Sequence, residues 1–225
     1  MNTAIVCRLI YKDWYLSRAM IIASLLVGGA TLAAMAAAKG AQLAIILGII
    51  VMATVLIGVG AILTSTMVNE RKQQTLPFVM TLPISYLEYT TSKLIGSLLL
   101  FLVVWIAMLL GMIAVILGTP WFPHGLIPFV ILMSVEVLAT TCLIAAVSVT
   151  TESQGWMIGA AQFGGLGLNA VGWSIVRLHG IGSSMTGRQI SWTPTATIIL
   201  AVELAAIAVM IGVTFYVQSR KRDFV

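Results

Sequence analysis

Residues 68–93 read VNERKQQTLPFVMTLPISYLEYTTSK, the longest polar interruption in a chain that is otherwise almost continuously apolar. The stretch holds Glu70, Arg71, Lys72, Glu88 and Lys93, five of the 19 charged side chains. It cannot itself cross a membrane, yet long apolar runs flank it on both sides. Thr75-Leu76-Pro77 and Leu82-Pro83-Ile84-Ser85 read as two short helical or turn pieces, because each proline pushes the residue before it out of the helical region. The pattern predicts a structured element on a membrane surface, placed to meet a soluble partner.

Composition sets the class. Of 225 residues, 60% are hydrophobic and 8% charged, with mean hydropathy +1.08. A soluble domain carries roughly 25% charged residues, so this chain cannot cover a water-facing surface. It reads as an all-α integral membrane protein. The net charge of +5 bears on orientation in the bilayer. No basic patch interleaves with aromatics, so no nucleic-acid partner is expected. Cys7 and Cys142 form neither a disulfide framework nor a metal-ligand spacing.

Working outward, six apolar segments are long enough to cross at about 20 residues each: 19–38, 41–67, 94–118, 126–149, 155–176 and 195–217. Residues 1–18 place Ile5, Val6, Leu9, Ile10 and Trp14 at helical spacing opposite Arg8, Lys12 and Asp13, which predicts an amphipathic helix lying in the interface. A cleavable signal peptide is disfavoured by the length of the apolar run and of what precedes it. Residues 218–225 form a basic tail. With the amino terminus inside, the inner segments hold Arg8, Lys12, Arg18, Arg71, Lys72, Lys93, Arg220, Lys221 and Arg222. The outer ones hold only Lys39, Arg177 and Arg188. The positive-inside rule then puts both termini and residues 68–93 in the cytoplasm.

Several classes are excluded. No G-x-x-x-x-G-K-[ST] loop marks a nucleotide site, and no T-V-G-Y-G filter marks a potassium channel. An intramembrane serine protease needs a His deep in a span, whereas His124 and His179 fall at outer boundaries. No His, Cys or carboxylate pair has metal spacing on a helix.

Residues 70–93 resemble the first cytoplasmic loop of type-2 ATP-binding-cassette (ABC-2) exporter permeases. The resemblance rests on Glu70-Arg71, Thr75, Leu82-Pro83-Ile84-Ser85 and Lys93, together with six spans and internal termini. Gln73-Gln74 stand where many relatives carry Glu-Gly, a departure that bears on the subfamily. The resemblance implies a coupling helix between spans two and three, docked on a separate ATPase. Two ATPase subunits would bind ATP and Mg, and two permease chains, identical or related, would form the path. It assigns ATPase coupling to Glu70, Arg71, Thr75, Leu82, Pro83, Ser85, Glu88 and Lys93, with Glu152 in the 150–154 turn as a smaller contact. Read without it, Glu70, Arg71 and Lys72 simply solvate a helix end.

Inside the spans, Glu136 and Glu203 stand out, since a carboxylate at bilayer depth must face protein or water or stay protonated. Substrate contact, proton relay and helix-to-helix hydrogen bonding all fit. Gln162 and Asn169, seven apart on one helix face, belong with them. The fifth span carries Gly155, Gly159, Gly164 and Gly165, whose spacing suits close helix packing within the chain or between two copies. The expected protein is therefore the permease subunit of an ATP-driven exporter. It would sit in a bacterial cytoplasmic membrane and move a hydrophobic or amphipathic substrate (peptide, lipid or drug-like). It has no ATP site and no cofactor of its own. The competing expectations are a self-sufficient ion- or proton-coupled carrier using Glu136 and Glu203, and a membrane anchor that recruits a partner through 68–93.

Overall fold

The computed structural model describes residues 3–38, 42–72, 86–151, 153–185 and 187–220. Six long helices account for most of them: α1 (Thr3–Ala37), α2 (Gln42–Lys72), α3 (Tyr86–Gly118), α4 (Ile127–Thr151), α5 (Gln154–Arg177) and α6 (Pro194–Arg220). One turn of 3-10 helix, His124–Leu126, precedes α4, and one turn of α-helix, His179–Gly182, follows α5. The boundaries follow local chemistry. Pro120, which has no N–H, lies just past the end of α3. Pro194 takes the first position of α6, where a missing N–H costs nothing. Thr193 caps α6, its Oγ1 accepting from the Ala196 amide at 3.3 Å.

The helices alternate in direction, and side-chain contacts fix their register. α1 and α3 run parallel at an offset of 80 positions, seen both in Asp13 with Lys93 and in Gly28 against Met108. α2 runs antiparallel to α1, with Gly48 against Met35. α5 runs antiparallel to α4, with Gly164 against Thr140, Gly167 beside Glu136 and Gly172 against Met133. α4 is the hub: twelve of its 25 residues are buried, against five of 27 in α6.

Lipid tails are as apolar as leucine, so covering apolar surface does not by itself drive helices together in a bilayer; close packing does. Consecutive residues of α4 show this. Thr140 faces Gly164 of α5 and Thr141 faces Gly60 of α2, where an added Cβ would stand 2.8 Å from the threonine Cγ2. Phe101 and Val104 of α3 are wholly buried in a cluster to which α1, α2 and α4 also contribute. Leu26, Ile198 and Val209, each more than 60% exposed, form part of the outer apolar ring.

Two expectations need adjustment. The interfacial helix expected over 1–18 is not a separate element: α1 runs unbroken through Arg18–Ala19 as part of a 35-residue helix. No proline or glycine lies between Thr3 and Val27 to break it, and Asp13 within it finds a partner in Lys93 of α3. Among the described residues, five helices are long and apolar enough to cross a membrane: Ile10–Ala37, Leu47–Ser65, Ser92–Gly118, His124–Thr151 and Pro194–Arg220. α5 spans 24 residues but is not among them. Its glycines, Gln162 and Asn169 dilute its apolar content.

Candidate functional site

Three polar ties between helices lie at one level of the bundle. Lys93 Nζ on α3 donates to both carboxylate oxygens of Asp13 on α1, at 2.8 and 2.9 Å. Ser148 Oγ on α4 donates to the Thr64 carbonyl of α2 at 3.2 Å. Gln218 Nε2 on α6 donates to the Val149 carbonyl of α4 at 2.7 Å. This level acts as a ruler. From it to the far helix ends there are 24 residues in α1 (Asp13 to Ala37), 25 in α3 (Lys93 to Gly118), 22 in α4 (Val149 to Ile127) and 24 in α6 (Gln218 to Pro194). Such lengths rise about 33–38 Å and match one bilayer core of about 30 Å with its margins.

On the other side of the level the helices differ. α4 and α6 end within three residues, at Thr151 and Arg220. α1 continues to Thr3, α2 to Lys72 and α3 back to Tyr86. Seven to ten further residues in each helix amount to an overhang of roughly 10–15 Å. That overhang carries the two ends of the segment 73–85. Of the residues expected to couple to an ATPase, Glu70 and Arg71 lie in the last turn of α2 and Glu88 in the first turn of α3. Thr75, Leu82, Pro83, Ser85 and Glu152 lie outside the described residues.

Lys93 departs from that group. It is 3% exposed and Asp13 14%, so the lysine faces inward and holds α1 to α3 at the root of the overhang. Asp13, Ser17, Leu63, Lys93, Ser97 and Leu100 surround a cavity of about 10 Å³, the room a single water needs. Thr64, Ser148 and Gln218 carry no signal in the sequence, and Asp13 reads there only as part of the polar face of residues 1–18. Asp13 offered one further signal: it is the only acidic residue before Glu70.

The glutamates are a separate place. Glu136 lies nine residues into α4 and Glu203 nine into α6, each about 13–14 Å from its helix start. α4 and α6 run parallel, with Leu132 packed among Ala196 and Ile199 and Val135 and Cys142 against Ile207. Four residues on from Leu132 and from Ile199, Glu136 and Glu203 therefore lie at a similar depth on two packed helices. Glu203 is 8% exposed, and neither of its carboxylate oxygens has a hydrogen-bond partner. Gln162 and Asn169 do not join them. Both are exposed, and Asn169 Nδ2 donates to Gly165 of its own helix at 2.8 Å. Among the four glycines of interest, Gly164 is consumed by Thr140, whereas Gly159 and Gly165 face open space and Gly155 has only Ser153 Oγ near it.

Long apolar helices packed at one common span length, with a basic three-helix overhang at one end, define a multi-pass membrane protein. The sequence of residues 14–166 matches the model of the ABC-2 family transporter proteins, and the chain belongs to that family. It is thus a permease subunit of an ABC transporter, the membrane component of a class that works with an ATPase subunit. No curated protein and no solved structure matches the chain.

Proposed function

We propose that this chain is the permease of an ATP-driven exporter that moves an apolar or amphipathic molecule out of the cytoplasm or the inner leaflet. In this reading the chain crosses the membrane six times with both termini in the cytoplasm. Two ATPase subunits, carrying ATP and Mg, dock under the overhang. The single observation that supports it most is that only α1, α2 and α3 outrun the span length, and all do so at the end bearing segment 73–85. A rigid extension of three helices, tied at its root by Asp13 and Lys93, passes a push from below into the bundle better than a slack loop. Glu70, Arg71 and Glu88, with Thr75, Leu82, Pro83 and Ser85 of the connecting segment, are the proposed contacts; Glu152 is a smaller one. Lys93 acts within the chain.

A second copy is proposed to cover the open face of α5. Gly159 and Gly165 have open space above them there, and Asn169 carries an exposed amide. Small residues permit close backbone approach, and amides bond across helices.

The test is purification from native membranes in mild detergent, followed by identification of what accompanies the chain. A stoichiometric protein with a phosphate-binding loop is expected, and it should be lost when Glu70→Ala and Arg71→Ala are combined. Recovery of the chain alone across several mild detergents would replace the exporter with the self-sufficient carrier.

A further inference from the structure

Glu203 presents a problem of charge. Both of its carboxylate oxygens are buried and unbonded, and the group nearest in kind, Glu136, carries the same sign. No lysine or arginine occurs between Lys93 and Arg177, and none in α6 before Arg220. Arg177 sits at the far end of α5 with its guanidinium over Trp173, 5.5 Å from the ring centre. Arg220 is stacked over Tyr216 at the other end of α6, 4.8 Å from its ring. Among the described residues, no lysine or arginine reaches the Glu203 carboxylate, whose two oxygens have no hydrogen-bond partner. The wall beside Glu136 is also pared back: Gly167 of α5 stands there, and a Cβ on it would lie 3.8 Å from Glu136 Oε1. The α4–α6 seam on which the two glutamates stand is otherwise apolar, packed from Leu132, Val135, Leu200 and Ile207 among others.

A buried carboxylate without a partner is costly, and it persists where something outside the chain meets it. We infer that Glu203 and Glu136 together receive one positive charge carried on an otherwise apolar cargo, a protonated amine or an onium group. The carboxyls supply the attraction that low dielectric magnifies, and the surrounding leucine, isoleucine and valine side chains suit the apolar body. Arrangements of this kind, mostly apolar walls with a few converging polar groups, are typical of small-molecule sites.

This inference deepens the exporter reading, since it names the class of cargo, and its test requires neither an ATPase nor transport. The chain is placed in nanodiscs of zwitterionic lipid, and binding of tetraphenylphosphonium is measured by equilibrium dialysis. Tetraphenylborate, the same shape with the opposite charge, serves as control. Wild type should bind the phosphonium saturably, with no saturable binding of the borate. Glu203→Gln should weaken phosphonium binding at least tenfold, Glu136→Gln by less, and Glu203→Asp should retain part of it. Equal binding of both probes, or wild-type affinity in Glu203→Gln, would overturn the inference. So would displacement of the phosphonium by millimolar sodium or potassium, which would give the site to an inorganic cation. Should the glutamine variants fail to fold, the contrast between the two probes on wild type decides alone. Phosphonium binding in a chain that recovers no ATPase would keep the site and discard the exporter.

Discussion

Two carboxylate sites in this bundle are treated in opposite ways. At the root of the overhang, Asp13 is met by Lys93 through two short hydrogen bonds, and the pair closes one junction between α1 and α3. Within the bundle, neither carboxylate oxygen of Glu203 has a hydrogen-bond partner, and Glu136 lies at a similar depth on the helix packed beside it. The first arrangement is complete within the chain and fits a fixed joint. The second is incomplete and fits a place where something arrives and leaves. Both places are polar in an apolar protein, so polarity alone does not separate them; the presence of a countercharge does.

The largest effect expected from this contrast lies at the joint. Lys93→Met leaves the partly buried Asp13 without its cation, and breaking a fully buried pair in this way costs about 3–5 kcal/mol, the upper bound here. Asp13→Leu combined with Lys93→Met removes both charges and should recover most of that loss. Unfolding by SDS titration in mixed micelles reads both. If the double variant is as unstable as the single one, the pair is not the joint described. The glutamate layer should respond with the opposite sign. Glu203→Leu removes an unsatisfied buried group, so the empty protein should gain about 1–3 kcal/mol in the same titration while losing phosphonium binding. A residue whose removal stabilises the fold but abolishes binding marks a functional site. A destabilised Glu203→Leu would instead place the side chain in a structural role.

The helices were legible in the sequence because their cause is local. Composition set the class, and apolar run length placed the far ends to within a few residues, as with 195–217 against Pro194–Arg220. The near ends were less legible, because polar residues such as Ser92 and Lys93 read as the edge of a span although α3 begins seven residues earlier, at Tyr86. The partnership of Asp13 with Lys93 was not legible at all. It joins residues 80 positions apart, and its cause is the parallel register of α1 and α3. For the same reason Lys93 read as part of a docking surface. The common depth of Glu136 and Glu203 was half visible: each residue stood out alone, and their shared level needed the packing of α4 on α6. Among the glycines, sequence spacing could not separate Gly164, which Thr140 fills, from Gly159, which nothing fills.

That last distinction gives the next two expectations. Gly164→Leu drives a side chain into Thr140, an overpacking that costs about 1–3 kcal/mol and should appear in the SDS titration of the single chain. Gly159→Leu meets open space and should leave that titration unchanged. If a second copy covers α5, Gly159→Leu should instead lower the yield of cross-linked dimer in membranes. A stable single chain that dimerises normally with leucine at 159 removes this face from the interface.

The smallest effect concerns Asn169, and it tests whether the comparison between satisfied and unsatisfied groups extends to the outside of the bundle. Its amide nitrogen bonds within its own helix to Gly165, so in one chain it is as self-contained as Asp13 with Lys93. Asn169→Leu should therefore change single-chain stability little. An interhelical hydrogen bond in a membrane is worth about 0.6 kcal/mol on average, so a dimer that uses Asn169 should weaken about threefold, measured by dilution of the chain in lipid with fluorescence transfer between labelled copies. No change would mean that the asparagine is satisfied by Gly165 alone, and the proposed interface would then rest on the open glycines. A loss much larger than threefold would mean that Asn169, like Glu203, is waiting for a partner that the single chain does not contain.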